Sequence, residues 1–217
     1  MIVRNDITQG TDEWHECRYR KIGGTLSKGL FVKSDTLLIE LLAEFAEDFE
    51  PPFDSFESFD MQRGTELEPL AMAELIKYTG IEFQSAGWLQ CEEINLLGIC
   101  PDGITECKKF SAEIKCPAKK KHLSTILNNE IPSDNIHQCL HYFTINPLLE
   151  KHFFVSFRPE NNYKRLFVKE LTRSTLIDLG TKSKPNIKSV AEWVLIAKSE
   201  AIELQVQINE SIKKLEF

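Results

Sequence analysis

Three residues near the middle of the chain could carry metal-assisted hydrolysis. In "GICPDGITECKKFSAEIKCP", Gly98 to Pro117, Asp102 follows a proline, ten residues separate it from Glu113, and Lys115 stands two further on. Side chains alternate along a strand, so Glu113 and Lys115 point to one face and Ile114 to the other, towards a core. If the two short strands pair, Asp102 meets Glu113 and Lys115 at one spot. Two carboxylates and a backbone carbonyl, that of Ile114, make a hard-oxygen set suited to Mg²⁺ or Mn²⁺. Such an ion lowers the pKa of bound water and offsets charge on a phosphoryl group in the transition state. Lys115, a compact cation with three donors, could orient the attacking water or stabilise the developing charge. The plain alternative is a surface ion pair between Glu113 and a lysine, which contributes little.

The elements that must position these residues can be read from periodicity. Ser34 to Phe49 has apolar residues at 37, 38, 41, 42 and 45, a helical spacing with Ser34 or Asp35 as cap. Glu47 to Asp60 is acidic, aromatic and broken by proline, and reads as a loop. Met61 to Thr79 reads as a helix closed by Gly80. Glu82–Cys91, Leu96–Cys100, Gly103–Cys107 and Ser111–Cys116 read as a meander of short strands. Lys121–Asn128 and Ser133–Thr144 read as helices, and "HFFVSF" and "RLFVKEL" as two more strands. From Val190, apolar residues at 194, 197, 201, 204, 208, 212 and 215 predict one long amphipathic C-terminal helix. The expected fold is therefore a mixed α/β domain, with a central mixed sheet flanked by helices.

The 217 residues, 42% hydrophobic, suit one large domain over 1–217 better than two small ones. No segment approaches the roughly eighteen apolar residues of a membrane helix, and "MIVRNDITQGTDEW" lacks a signal-peptide core. A cytoplasmic protein is expected, without a membrane partner. The six cysteines form no CxxC pair and no zinc pattern, and read as small buried side chains. The net charge of −7 argues at first against nucleic acid, but its distribution is uneven. Nine acids and no base lie between Ser34 and Gln62; six lysines face two acids between Thr105 and His122; Arg18, Arg20, Lys21, Lys28 and Lys33 form a second basic cluster. An acidic exterior with a basic active face is compatible with a DNA enzyme.

The Pro-Asp … Glu-x-Lys arrangement resembles that of the PD-(D/E)xK nuclease superfamily. With "QGTDEWHECRYRKIGGT", "RGTELEPLAMAEL", "CPDGI" and "AEIKCP" in that order, the chain resembles the phage lambda exonuclease, or YqaJ-like viral recombinase, family of alkaline exonucleases from about Gln9 to Thr144. The resemblance implies a restriction-endonuclease-like core and roles for named residues. Glu68 matches a helix glutamate facing the metal site, Asp102 and Glu113 the metal-binding carboxylates, and Lys115 the catalytic lysine. Arg18 matches an arginine that recognises a terminal phosphate, for which a guanidinium fork is well suited. Thr25 matches a small hydroxyl residue near that pocket, and Gln138 a glutamine on the helix behind the site. Cys100 stands where a serine is common, and a thiol is a poorer phosphate donor. Met61, at the mouth of the Glu68 helix, is a candidate wedge between bases; packing against the core is the alternative.

The resemblance further implies a Mg²⁺-dependent 5′-to-3′ exonuclease on double-stranded DNA ends. It would release 5′-mononucleotides and leave 3′ single strands for recombination. It also implies a toroidal homotrimer and a single-strand annealing protein as partner, in a host cell's cytoplasm if the chain is phage-encoded. Rival readings are a structure-specific endonuclease, a Cas4-like nuclease, and a non-catalytic DNA-end-binding module. The absence of cysteine after Cys139 counts against the Cas4-like cluster.

Overall fold

The computed structural model describes residues 1–32, 34–52 and 59–215. Lys33 of the second basic cluster and positions 53–58 of the acidic loop lie outside these residues. Along the chain come β1 (Ile2–Arg4), α1 (Asp12–Arg18), α2 (Lys28–Phe31), α3 (Asp35–Ala46) and α4 (Phe59–Thr79). Then follow β2 (Trp88–Gln90), β3 (Gly98–Ile99), β4 (Gly103–Ile104), β5 (Phe110–Lys115), α5 (Lys119–Asn128) and α6 (Ser133–Ile145). β6 (Lys151–Phe157), β7 (Leu166–Thr172), β8 (Leu176–Asp178), β9 (Ile187–Ser189) and α7 (Val190–Leu215) complete the order.

The expected meander is corrected. The segments from Glu82 to Cys116 do not form one continuous hairpin series but divide between two sheets. β2 and β3 join β1 in an antiparallel sheet, whereas β4 and β5 begin the order β4-β5-β6-β7. The turn at Cys100–Asp102 is where the chain leaves one sheet for the other, and an isolated bridge, Gln84 to Ile104, ties the segment before β2 to β4. The four-stranded sheet is mixed as expected: β5 runs parallel to β6, with antiparallel β4 and β7 outside.

The central strand β6 is buried nearly throughout, which explains its continuous apolar run. Phe153, Val155 and Phe157 pack with Ala112, Ile114, Ala71 and Leu75 under α4. Phe154 faces the opposite, larger core beneath α6 and α7. The sheet is thus sandwiched between α4 and the α5–α6 layer. α7 packs on α2, α3 and α6 through Val190, Trp193, Val194, Ala197, Ala201, Leu204 and Ile208. Those steps of three and four are the stripe expected from the sequence, with two alanines permitting close approach. Its last member, Leu215, is exposed.

Helix ends follow ordinary capping. Gly80 adopts φ +67° and its N–H donates to the Ile76 carbonyl at 2.8 Å, closing α4. Ser34 does precede α3, but its hydroxyl meets that of Thr36 at 2.8 Å, and no side-chain bond to a helix amide forms.

Two buried histidines hold the layers together. His141 Nε2 donates to the Ile22 carbonyl at 2.9 Å, and His152 Nδ1 lies 2.8 Å from the Ser111 hydroxyl. Burial lowers their pKa from 6.5 to about 4 and about 3 respectively. Below pH 6.5 the unfolded chain takes up protons that the folded chain refuses, so their stabilisation is full above 6.5 and is lost as pH falls towards those values. At pH 5, about 1.5 pH units into that window, each removes about 2 kcal/mol. Denaturant unfolding at pH 7 and pH 5 should show the loss, and His141→Gln should narrow the difference between the two; an unchanged difference would exclude His141 as a source.

Candidate active site

α4, the β3–β4 turn and β5 converge on an open cleft of about 530 Å³. Glu68, Asp102, Ile114, Lys115 and Met61 all line it. Each arrives for a local reason. The residue after Glu68 is Pro69, inside α4, which removes the helical bond to the Thr65 carbonyl; Thr65 and Glu68 both face the cleft. Asp102 sits where the chain passes between sheets, and Gly103 follows in β4, where a side-chain carbon would lie 2.6 Å from the Met72 methyl. Asp102 Oδ2 accepts a 2.6 Å hydrogen bond from the Ile114 amide, which locks the turn onto β5.

β5 presents Glu113 and Lys115 on one face, as alternation requires, and sends Ile114 into the core under α4. The expected single open spot is refined in one respect. Glu113 is only 1% exposed and does not line the cleft. Its Oε1 is ion-paired with the Lys115 ammonium, and its Oε2 accepts a 2.6 Å hydrogen bond from the Tyr142 hydroxyl. The pair is half-buried: Glu113 is enclosed and has a supporting donor, while the Lys115 side chain is 36% exposed, so it is not the fully surface ion pair of the plain alternative.

The groups are electrostatically coupled. Burial, then repulsion from Glu113 and Glu68, raises the Asp102 carboxyl well above its usual range, with Lys115 opposing. Burial and Glu113 likewise raise Glu68. Lys115 is held above its ordinary value: burial works against its charge, but Glu113 and Asp102 outweigh it. Three crowded acids against one ammonium are a site short of positive charge.

That deficit, with oxygen donors from Glu68, Asp102, Glu113 and the Ile114 backbone, suits a small hard cation. Among the described residues, no three acidic, histidine or cysteine side chains already close into a metal cage, and Glu113 is engaged by Lys115 and Tyr142. The donor chemistry nonetheless fits Mg²⁺ or Mn²⁺.

The residues matched to phosphate recognition lie next door. Arg18 and Thr25 line a separate recess of about 320 Å³ with Lys21 and Gly23. The Arg18 guanidinium stacks 4.0 Å from the Trp14 ring centroid, and Trp14 Nε1 donates to Cys100 Sγ at 2.9 Å. Trp14 and Cys100 therefore connect this recess to Asp102, two residues on. Among the described residues no carboxylate is ion-paired with Arg18, so the alternative pairing with Glu13 or Glu16 is not found. Burial pushes the Cys100 thiol up to about 11, so it stays neutral. Gln138 is on α6, and its side-chain end lies against Gly24, where an added carbon would come within 2.9 Å of Nε2. Met61 is 57% exposed at the cleft mouth, which favours a surface role over a core staple.

Tyr142 escaped the sequence reading, as did Asn135, which lines the cleft with a buried Oδ1 that has no hydrogen-bond partner among the described residues. A signal existed: Asn135, Gln138 and Tyr142 follow at steps of three and four, one face of α6. What that face met was invisible without the fold.

The fold is that of an α/β chain built like the alkaline exonucleases. It is similar to LHK-Exo, an alkaline exonuclease from Laribacter hongkongensis, with a TM-score of 0.71 and 23% identity over 95% of this chain and 98% of that one. The same figures hold for LHK-Exo in complex with dAMP. A phage-related exonuclease from Haemophilus somnus 129PT gives a TM-score of 0.53 and 10% identity over 88% and 96%. The model of the YqaJ-like viral recombinase domain matches residues 13–146, and the chain belongs to that family. Among curated proteins, no match was found.

Proposed function

We propose that the chain, 1–217 as one nuclease domain, is a Mg²⁺-dependent deoxyribonuclease. It digests one strand of duplex DNA from 5′ ends, releases 5′-mononucleotides and leaves 3′ single strands for recombination by strand annealing. The observation that carries this reading is the convergence of Glu68, Asp102, Ile114 and Lys115 on one cleft, with Glu113 buried behind it. Membership of a viral recombinase family and a fold shared with alkaline exonucleases support it, and dAMP, bound by LHK-Exo, is a deoxynucleoside monophosphate.

Glu68, Asp102, Glu113 and the Ile114 carbonyl would hold the cation. When bound, it supplies Lewis-acid stabilisation of phosphoryl charge and a more acidic water. The chain's own residues do the rest. The Ile114 amide keeps Asp102 oriented towards the cleft. Lys115 offers an ammonium to the attacking water or to the developing charge. Arg18, with Thr25 beside it, grips the terminal phosphate, while Cys100 contributes no charge. Gln138 braces the Gly23–Thr25 loop from α6.

Met61 acts in this reading as a wedge at the cleft mouth. Opening a terminal pair forfeits stacking worth about 1.4 kcal/mol, and a flexible thioether can pack on the freed base. Met61→Ala should slow digestion of paired duplex about tenfold, one such stacking step, and digestion of a frayed 5′ end far less, with little change in Tm. Equal slowing on both substrates would remove the wedge role.

The proposed assembly is a homotrimeric ring, paired with a single-strand annealing protein in the cytoplasm of the host cell. A ring would let a chain of net charge −7 stay on DNA by topology, with less electrostatic grip. The deciding assay is linear duplex labelled at 5′ or 3′ ends and given Mg²⁺, alongside covalently closed circles. Early release of 5′ label and intact circles are expected. Cut circles would make the protein an endonuclease, and no release from either end would leave a DNA-end-binding module.

A further inference from the structure

We propose that Tyr142 is a positioning residue: its hydroxyl selects which oxygen of Glu113 faces the metal and Lys115. The inference rests on the metal-dependent nuclease reading and adds a residue that the sequence reading did not name.

Three observations carry it. First, the Tyr142 hydroxyl is 2.6 Å from Glu113 Oε2 and 3.2 Å from the Cys100 carbonyl. A phenol has one proton to donate, and the shorter, charge-assisted bond to the carboxylate is the stronger claim on it. Second, the other oxygen, Oε1, is the one ion-paired with Lys115, which lines the cleft. With Oε2 drawn inward, Oε1 is the oxygen left on the side of Lys115 and the cleft, and it is the one Glu113 would offer to a cation. Third, the tyrosine is itself held. Its ring stacks on His152 at 4.4 Å and 25°, and His152 is tied to Ser111 at 2.8 Å. Ser111 and Glu113 are two apart on β5, so they share the strand face that looks towards α6. The strand thus orients its own carboxylate through a loop of contacts: Ser111, His152, Tyr142, Glu113.

A buried carboxylate oxygen without that donor would be unsatisfied and free to turn. Partners behind a metal ligand typically account for about 10- to 100-fold in metal affinity or activity. Tyr142→Phe should therefore weaken Mg²⁺ binding, measured by calorimetry, by about 10-fold or more. Single-turnover hydrolysis at low Mg²⁺ should fall in parallel and recover partly as Mg²⁺ is raised. In a Glu113→Gln background the same substitution should leave Mg²⁺ binding unchanged, a result that a merely structural role would not give. Unchanged Mg²⁺ affinity in folded Tyr142→Phe overturns the inference, as does an equal loss in both backgrounds. If Tyr142→Phe does not fold, a crystal structure of the wild type with Mn²⁺ decides. Mn²⁺ on Oε1 with Tyr142 still on Oε2 supports the inference; chelation by both oxygens overturns it. A wild type that binds Mg²⁺ but cuts no DNA would defeat the nuclease reading, and the calorimetry would still judge Tyr142.

Discussion

Asp102→Asn and Glu113→Gln should each abolish hydrolysis, by at least about a thousandfold, because metal-assisted charge stabilisation supplies several kcal/mol of the barrier reduction. The two reach this result differently. Asp102 lines the cleft directly and is anchored by the Ile114 amide; an asparagine can keep that bond through its carbonyl while losing its charge. Glu113 is buried between Lys115 and Tyr142, so Gln leaves the ammonium without its main counter-charge as well as removing a proposed ligand. Both variants should weaken Mg²⁺ binding measurably in calorimetry and keep DNA binding in Ca²⁺. Lys115→Ala should do the converse. Crowded acids with no ammonium still attract a cation, so Mg²⁺ binding persists while turnover stops. Turnover at the wild-type rate in any of the three would end the catalytic assignment.

Arg18→Ala should erase discrimination between 5′-phosphorylated and 5′-hydroxyl ends. A hydrogen bond to a charged group contributes roughly 1.5–3 kcal/mol, about 10- to 100-fold in relative rate. Three features make Arg18 suited to this. Its guanidinium rests over the Trp14 ring, it lines an open recess with Thr25 and Lys21, and no acid among the described residues is ion-paired with it, although Glu44 and Glu50 line the same recess. Cys100 adds no charge there, because its buried thiol remains neutral, so the preference falls mainly on the arginine. Affinity for internal duplex should change much less. Initial rates on the two substrates, wild type against variant, give the ratio directly, and an unchanged ratio would return Arg18 to a packing role on Trp14.

Much of the fold was legible because it is written in local periodicity. The α7 stripe, the α4 helix with its Gly80 stop, and the apolar β6 run each reflect one element burying one or two faces, and the structure contains them all. Short elements were not legible. β1, α2 and the β8–β9 hairpin have three or four residues each, too few for a repeat to stand out. The meander failed for a different reason. Neighbouring strands in sequence usually pair, but Cys100–Asp102 carries the chain from one sheet to another, and only non-local pairing of β5 with β6 reveals it.

By itself, the sequence named the candidates for the site, the carboxylates, the lysine and the arginine, and, through strand alternation, placed Glu113 and Lys115 on one face with Ile114 turned away. Asp102, Glu113 and Lys115 follow from covalent spacing and the two-residue repeat of a strand; Glu68 and Arg18 came from the family resemblance. The tertiary structure alone decided what each group touches. It buried Glu113 and capped it with Tyr142, 29 positions away. It seated Cys100 against Trp14 across 86 positions, and it separated the Arg18 recess from the Glu68 cleft. The reason is physical. The charge state and orientation of a carboxylate depend on desolvation and on donors within about 3 Å, and such neighbours come from distant segments brought together only when α4 and α6 close on opposite faces of the sheet.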